Sequence, residues 1–286
     1  MTTHSPAALP AERLGSMFPT DVRVVEPDAA VSYALATNDP NPLYLSARIA
    51  PPMFVVVPGV AAMSVATAQL LSADMIAHCV EARHDIHYAQ PLIPGTELHT
   101  AASAHAIASG RSGDQLVVRI ESRTAGGELT AEQFCTITVR GLTGSRTGGE
   151  HVPSHAFPPA ARHARIGTVS VPVDADQTYR YRDASGDDMP IHIDDEFARS
   201  VGLPGMIAHG FCTMAMCSRA VLTLAADGDA SRLRRLAVRF REFVRPGTTV
   251  DTTVFEGNRP GLFHFEATSD GRTVITDGLA VIGRPG

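Results

Sequence analysis

The chain repeats itself, and a repeat constrains the fold more than any single motif does. Tyr33-Ala-Leu-Ala-Thr-Asn-Asp39-Pro40-Asn41-Pro42-Leu43-Tyr44 aligns with Tyr181-Arg-Asp-Ala-Ser-Gly-Asp187-Asp188-Met189-Pro190-Ile191-His192, 148 residues further on. Pro58-Gly59 and His209-Gly210, each followed by an apolar stretch, match at 151 residues, and Pro94-Gly95-Thr96 matches Pro246-Gly247-Thr248 at 152. The order is preserved, so two like units are expected: an N-terminal repeat over residues 1–150 and a C-terminal repeat over 166–286. The Gly-, Ser- and Pro-rich segment between them, 151–165, reads as a linker.

Each repeat carries the same elements. The stretches Gly59–Ala77 and Gly210–Ala226 are too long for strands and rich in Ala, Met and Leu, so helices are expected, apolar on most sides and therefore buried. Arg219 interrupts one, and Gln69 with Asp74 the other, which argues against membrane spans. β-rich runs follow: Ile86–Leu98, Leu116–Arg123 and Leu129–Val139, then Leu236–Phe243, Thr248–Phe255, Leu262–Thr268 and Thr273–Ile282. Gly126-Gly127 and Asp270-Gly271 suit tight hairpin turns. One long helix followed by an antiparallel meander predicts an α+β fold, the hot-dog arrangement. Two tandem copies make a double hot-dog, each sheet wrapped around its central helix as in a dimer of single units.

Composition narrows the chemistry. Apolar residues make up 44% and charged residues 19% of 286, which is ordinary globular composition. The net charge of −6 gives no basic field for a phosphate backbone, so nucleic acid is not an expected partner. All 24 basic residues are Arg. Without Lys, neither a Schiff-base enzyme nor a Walker-type phosphate loop can be built. No GxSxG, HExxH or GxGxxG occurs. Cys79, Cys135, Cys212 and Cys217 are scattered, with no zinc or disulfide spacing, and the first ten residues contain no secretory leader pattern. A cytoplasmic protein acting on a small molecule, without metal or cofactor and not bound to a membrane, is the expectation.

Asp187 and His192 lie five apart, which on a helix would turn them about 140° from each other. Gly186 and Pro190 disfavour continuous helix there, so a turn is expected, and a turn can bring both groups onto one water molecule for general acid/base chemistry. Gly210 opens the second apolar helix, where the first amides lack internal acceptors and can bind an oxygen gaining negative charge. Packing alone would also place a glycine there. Asp194, Asp195 and Glu196 read as helix-capping acids, His84 and His87 as residues on opposite strand faces, and Arg232, Arg234, Arg235 and Arg239 as a solvated cluster or a phosphate contact.

Ser185-Gly186-Asp187, Pro190-Ile191-His192 and Ala208-His209-Gly210 together resemble the signature of MaoC-like R-specific enoyl-CoA hydratases of the two-hot-dog type. The resemblance implies addition of water to a trans-2-enoyl-CoA to give an R-3-hydroxyacyl-CoA, or the reverse. It maps catalytic roles onto Asp187 and His192, thioester binding onto the Gly210 amide, and substrate contacts onto Ser185, Met189 and His209. Met189 departs from the motif, which has Asn at this position. The N-terminal repeat keeps Asn41 but has Tyr44 for His192 and Pro58 for His209, and is read as a degenerate site that shapes acyl-chain binding. A hot-dog thioesterase and a non-catalytic acyl-thioester-binding subunit are the alternatives, and a homodimer is the assembly the reading allows.

Overall fold

A computed structural model describes residues 8–19 and 21–284; the stretch read for a leader lies, up to residue 7, outside them. The N-terminal repeat runs β1 (Asp21–Val24), α1 (Pro27–Ala36), α2 (Pro42–Leu45), α3 (Val56–Leu70), α4 (Ala73–Ala77), β2 (Cys79–Tyr88), β3 (Glu97–Ala108), β4 (Gly113–Thr124) and β5 (Leu129–Arg140). A two-residue strand, β6 (Gly148–Gly149), pairs with β3. The C-terminal repeat follows as β7 (Arg165–Val173), α5 (Gln177–Ser185), α6 (Pro190–Ile193), α7 (Asp195–Ser200), α8 (Gly210–Ala225), β8 (Leu233–Phe240), β9 (Thr248–Glu256), β10 (Leu262–Ser269) and β11 (Arg272–Ile282).

All pairings are antiparallel, in the order β1-β3-β4-β5-β2-β8-β11-β10-β9-β7, so the sheet reads the same from either end. The join is β2 against β8, where Asp85 pairs with Ala237, its own counterpart in the repeat alignment. Tyr33 and Tyr181, equivalent residues 148 apart, meet hydroxyl to hydroxyl at 3.2 Å in the core. The duplication is therefore expressed as a pseudo-two-fold: each repeat supplies half a sheet and one central helix, and the chain adopts the expected double hot-dog.

The two central helices are not equally enclosed. Eleven residues of α8 are buried, among them Phe211, Met214, Met216, Val221 and Leu222, in a core shared by both repeats. α3 is buried through Gly59 and thereafter only on the stripe Ala62, Ala66 and Leu70. Pro52–Leu70 is long and apolar enough to cross a membrane by length and composition, yet more than half of it is buried within the protein, against β3 and β4.

Three expectations are corrected. The first apolar helix begins at Val56 rather than Gly59, after a 3-10 turn at Pro52–Val55, and stops at Leu70. Ser72 then caps the separate α4 by accepting from the Met75 amide. The run Ile86–Leu98 is two strands, because Pro91 and Pro94 cannot donate to a ladder and Gly95 takes φ +91°. Strands β1 and β7, not anticipated, close the two outer edges. The linker straps the outer face of the sheet: His155 Nδ1 meets the Asp277 carbonyl at 2.9 Å and Phe157 stacks on His264.

Candidate active site

The loop after α5 is built by its own side chains. Gly186 takes φ +78° and terminates the helix, and the Ser185 hydroxyl donates to the Tyr181 carbonyl while accepting from the Asp187 amide. The Asp187 carboxylate accepts from the Met189 amide at 3.3 Å, and Pro190 starts the single turn α6 that carries His192. His192 is 7% exposed, and its Nδ1 lies 2.8 Å from the Ile207 carbonyl. A carbonyl only accepts, so Nδ1 carries the proton and Nε2 presents a lone pair.

His209 completes the cluster. It is 1% exposed, its ring stacks on His192 with centroids 3.9 Å apart, and its Nε2–H donates to the Asp187 carbonyl at 3.0 Å. Its Nδ1 is buried without a partner. Tyr181 packs against the other side of the ring at 4.7 Å. One side-chain ligand atom from each of Asp187, His192 and His209 falls within 4.8 Å of the others. Such a set can hold one water or one ion.

Burial sets the protonation states. It pushes the Asp187 carboxyl above its ordinary range, against the pull of His192 and the Met189 amide. It pushes His192 down, opposed by the Ile207 bond and by Asp187. His209 falls to about 3, from burial first and the neighbouring imidazole second. Both rings are thus neutral near pH 7, and a carboxylate of raised proton affinity faces a basic nitrogen.

Gly210 follows directly as the first residue of α8, with its backbone exposed. The Gly210 and Phe211 amides find no acceptor among the described residues, and the Thr213 amide reaches the His209 carbonyl at 3.1 Å. A Cβ on Gly210 would meet the Phe240 ring at 3.3 Å. The helix therefore offers open amides at its positive end, beside the Asp–His pair.

Met189 caps nothing and is 53% exposed. Its counterpart Asn41 caps α2 by accepting from the Leu43 amide and donates to the Gly228 carbonyl. Elsewhere in the N-terminal repeat, Asp39 accepts from the Asn41 amide, and the Tyr44 hydroxyl is buried without a partner. Gly59 is the fourth residue of α3, and the Gln133 amide stands 2.7 Å from where its Cβ would be. Where Gly210 opens α8, its counterpart Gly59 lies inside α3 and is covered by Gln133. An open cleft of about 480 Å³ beside Asp39 is lined in part by Arg219 from α8.

The remaining candidates disperse. Asp194 caps α7 by accepting from the Phe197 amide. Arg235 is paired with Asp85 at 2.6 Å and Arg239 with Asp277 at 3.6 Å, while Arg232 and Arg234 bind the Gly283 and Ser231 carbonyls. His84 and His87 point to opposite faces, onto Phe211 and Phe134 respectively. Sequence reasoning missed Tyr181 beneath the imidazoles, although its identity with Tyr33 in the repeat marked it. It also missed the Glu81, His84 and Cys135 group, whose ligand atoms likewise lie within 4.8 Å of one another.

Residues 157–273 match the family model for the MaoC like domain. The chain is similar to the probable enoyl-CoA hydratase 2 of Dictyostelium discoideum, 32% identical over 57% of this chain and 55% of that protein. It is also similar to 3-hydroxyacyl-thioester dehydratase Y of Mycobacterium tuberculosis, 37% identical over 53% of each. The match to the mouse peroxisomal multifunctional enzyme type 2 is 33% identical over 62% of this chain and 24% of that one. The chain thus spans about half the length, or less, of these curated relatives. Among solved structures, a MaoC-like dehydratase from Phytophthora capsici superposes with a TM-score of 0.84 at 21% identity, over 96% of this chain and 98% of that one. A Mycobacterium tuberculosis protein described as having a double hotdog fold gives 0.61 at 12%, over 94% and 95%. At such identities the structural likeness is one of fold.

Proposed function

We propose, from the match of residues 157–273 to the model of the MaoC like domain, that the chain is a hydro-lyase that adds water to a trans-2-enoyl-CoA, or removes it from the R-3-hydroxyacyl-CoA. The Asp187 carboxylate and His192 Nε2 hold one water between them. Its oxygen attacks the β-carbon of the conjugated thioester while the thioester oxygen gathers negative charge under the Gly210 amide. The proton that water gives up passes through the Asp–His pair to the α-carbon, so both added groups come from one water molecule. Neutral His192 and ionised Asp187 are the forms this needs, and drawn this way the reaction uses no metal or redox cofactor.

Ser185 shapes the loop, His209 pins it through the Asp187 carbonyl, and Met189 is exposed on the same loop. The N-terminal repeat, without an Asp–His pair, would serve the acyl chain. The observation that carries the reading is the convergence of Asp187 and His192 beside the unpartnered Gly210 amide. Loss of enoyl absorbance on mixing with a trans-2-enoyl-CoA, with no free thiol, tests it. Thiol release would make the protein a thioesterase, and binding without either change would make it a carrier.

A further inference from the structure

The strongest unexplained feature is a polar cluster buried in the N-terminal repeat. β2 carries a bulge between Glu81 and Arg83, so that three steps along β2 oppose two along β5: Glu81 pairs with Ile137 and His84 with Cys135. In regular alternation Glu81 and His84 would face opposite ways. The bulge turns both to the inner, helix-bearing face, the re-aiming for which bulges are known beside functional sites.

There the Glu81 carboxylate accepts from His84 Nδ1 at 2.7 Å and from the Cys135 thiol at 3.3 Å. The other ring nitrogen of His84 lies 3.0 Å from Gln133 Oε1. Gln133 is oriented by its amide nitrogen, which donates to the Val55 carbonyl at 3.1 Å. Both nitrogens of His84 therefore face side-chain oxygens, and the ring is held between Glu81 and Gln133. His84 is 1% and Gln133 0% exposed. A buried polar cluster of this kind gives little net stability over apolar residues of the same size, so stability alone does not account for it.

The network ends at the other repeat. The His84 ring meets the Phe211 ring edge-on with centroids 4.7 Å apart, and Phe211 is the residue after Gly210. Phe240 closes the opposite side, 6.4 Å from Phe211 and against the Gly210 backbone. At its near end the same network fills the space over Gly59 with Gln133. The side chains that cover Gly59 within α3 thus reach the first turn of α8.

We propose that Glu81 and His84 are positioning residues for the site of the C-terminal repeat, holding the first turn of α8, and with it the Gly210 amide, in register through Phe211. The proposal rests on the hydratase reading for its kinetic consequence but not for its structural one. Glu81→Gln is nearly isosteric and removes the charge that fixes the His84 ring. Deuterium uptake by the peptide covering residues 209–218 should rise in this variant while uptake by α3 stays as in wild type. With enoyl-CoA, kcat should fall about tenfold with KM within about twofold, as expected for a donor that acts on the transition state. Glu81→Asp, which keeps the charge, should recover part of kcat. If Glu81→Gln folds poorly, Phe211→Leu breaks the same link from the other end and should show the same uptake and kcat changes. Unchanged uptake at 209–218, or a kcat loss that vanishes when corrected for folded protein, would overturn the proposal. A wild type that shows no hydration would sink the function reading, and the uptake result would still decide the positioning claim.

Discussion

The two repeats share an element order, a sheet topology and a symmetry axis, yet only one ends its loop and helix in an open polar site. In the C-terminal repeat the loop after α5 delivers Asp187 and His192 to each other, and α8 starts at Gly210 with its first amides free. In the N-terminal repeat the equivalent loop delivers Asp39 and a buried Tyr44, Pro58 has no N–H to offer, and Gln133 covers Gly59. The difference teaches that a hot-dog unit supplies the frame, a turn facing a helix N-terminus. Whether the frame is a site depends on a handful of side chains and on how early the helix begins.

The largest effect that sharpens this contrast is at the paired positions 192 and 44. His192→Gln should lower hydration of an enoyl-CoA by about 10²–10⁴-fold, the usual share of a general acid/base. Tyr44→Phe should leave the rate unchanged and, because it removes a buried hydroxyl with no partner, raise stability by about 1 kcal/mol in a denaturant melt. A rate loss in Tyr44→Phe would break the contrast.

The two glycines come next. Gly210→Ala, with the Phe240 ring close by, should cost about 10–100-fold in kcat/KM with little change in melting temperature. Gly59→Ala should act mainly on stability. Its methyl would push on Gln133, so about 1–2 kcal/mol should go, and because Gln133 holds the His84 ring, kcat/KM per folded molecule should fall by less than in Gly210→Ala.

Acid should act through the C-terminal repeat. His209 falls to about 3 in the folded protein, and an unfolded histidine titrates near about 6.5. The unfolded chain therefore binds the proton first. The stability that neutral His209 contributes is present above about pH 6.5 and is lost as pH falls from there towards about 3. Pro58 has no such group. Melting temperatures across this window should fall less steeply in His209→Asn than in wild type, and parallel curves would contradict the assignment. Raised Asp187 and lowered His192 place the loss of activity on the acid side, with a flat profile through neutral pH.

The smallest effect is at the caps. Met189→Asn should restore the side-chain cap that Asn41 makes in the other repeat, adding about 1 kcal/mol to stability with activity kept or raised. Lower activity in that variant would mean that the thioether shapes the pocket.

Much of this was readable beforehand because duplication makes a sequence its own alignment. Turn residues at Gly186 and Pro190 disfavoured one continuous helix from Asp187 to His192, and the Asp270-Gly271 turn was explicit. What escaped had physical reasons. β7 alternates Val169, Val171 and Val173 inward but adjoins a Pro- and Gly-rich linker that masks its period. The apolar run read from Ile86 leaves out the first half of β2, Glu81-Ala82-Arg83-His84-Asp85, where charged residues hide the alternation. It is a strand because a bulge and the Glu81–His84 pair let charged groups face the core, and no residue type announces a bulge. The early start of α3, which withdraws Gly59 from the helix end, depends on a 3-10 turn at Pro52–Val55 that leads straight into Val56 and that the repeat alignment does not mark.

The most direct test of the central claim is a paired rate measurement on trans-2-enoyl-CoA, following the conjugated enoyl absorbance in Asp187→Asn and Asp39→Asn under identical conditions. The account predicts that hydration disappears in the first and runs at the wild-type rate in the second. Equal rates in the two variants, whether both retained or both lost, would contradict a single working site in the C-terminal repeat.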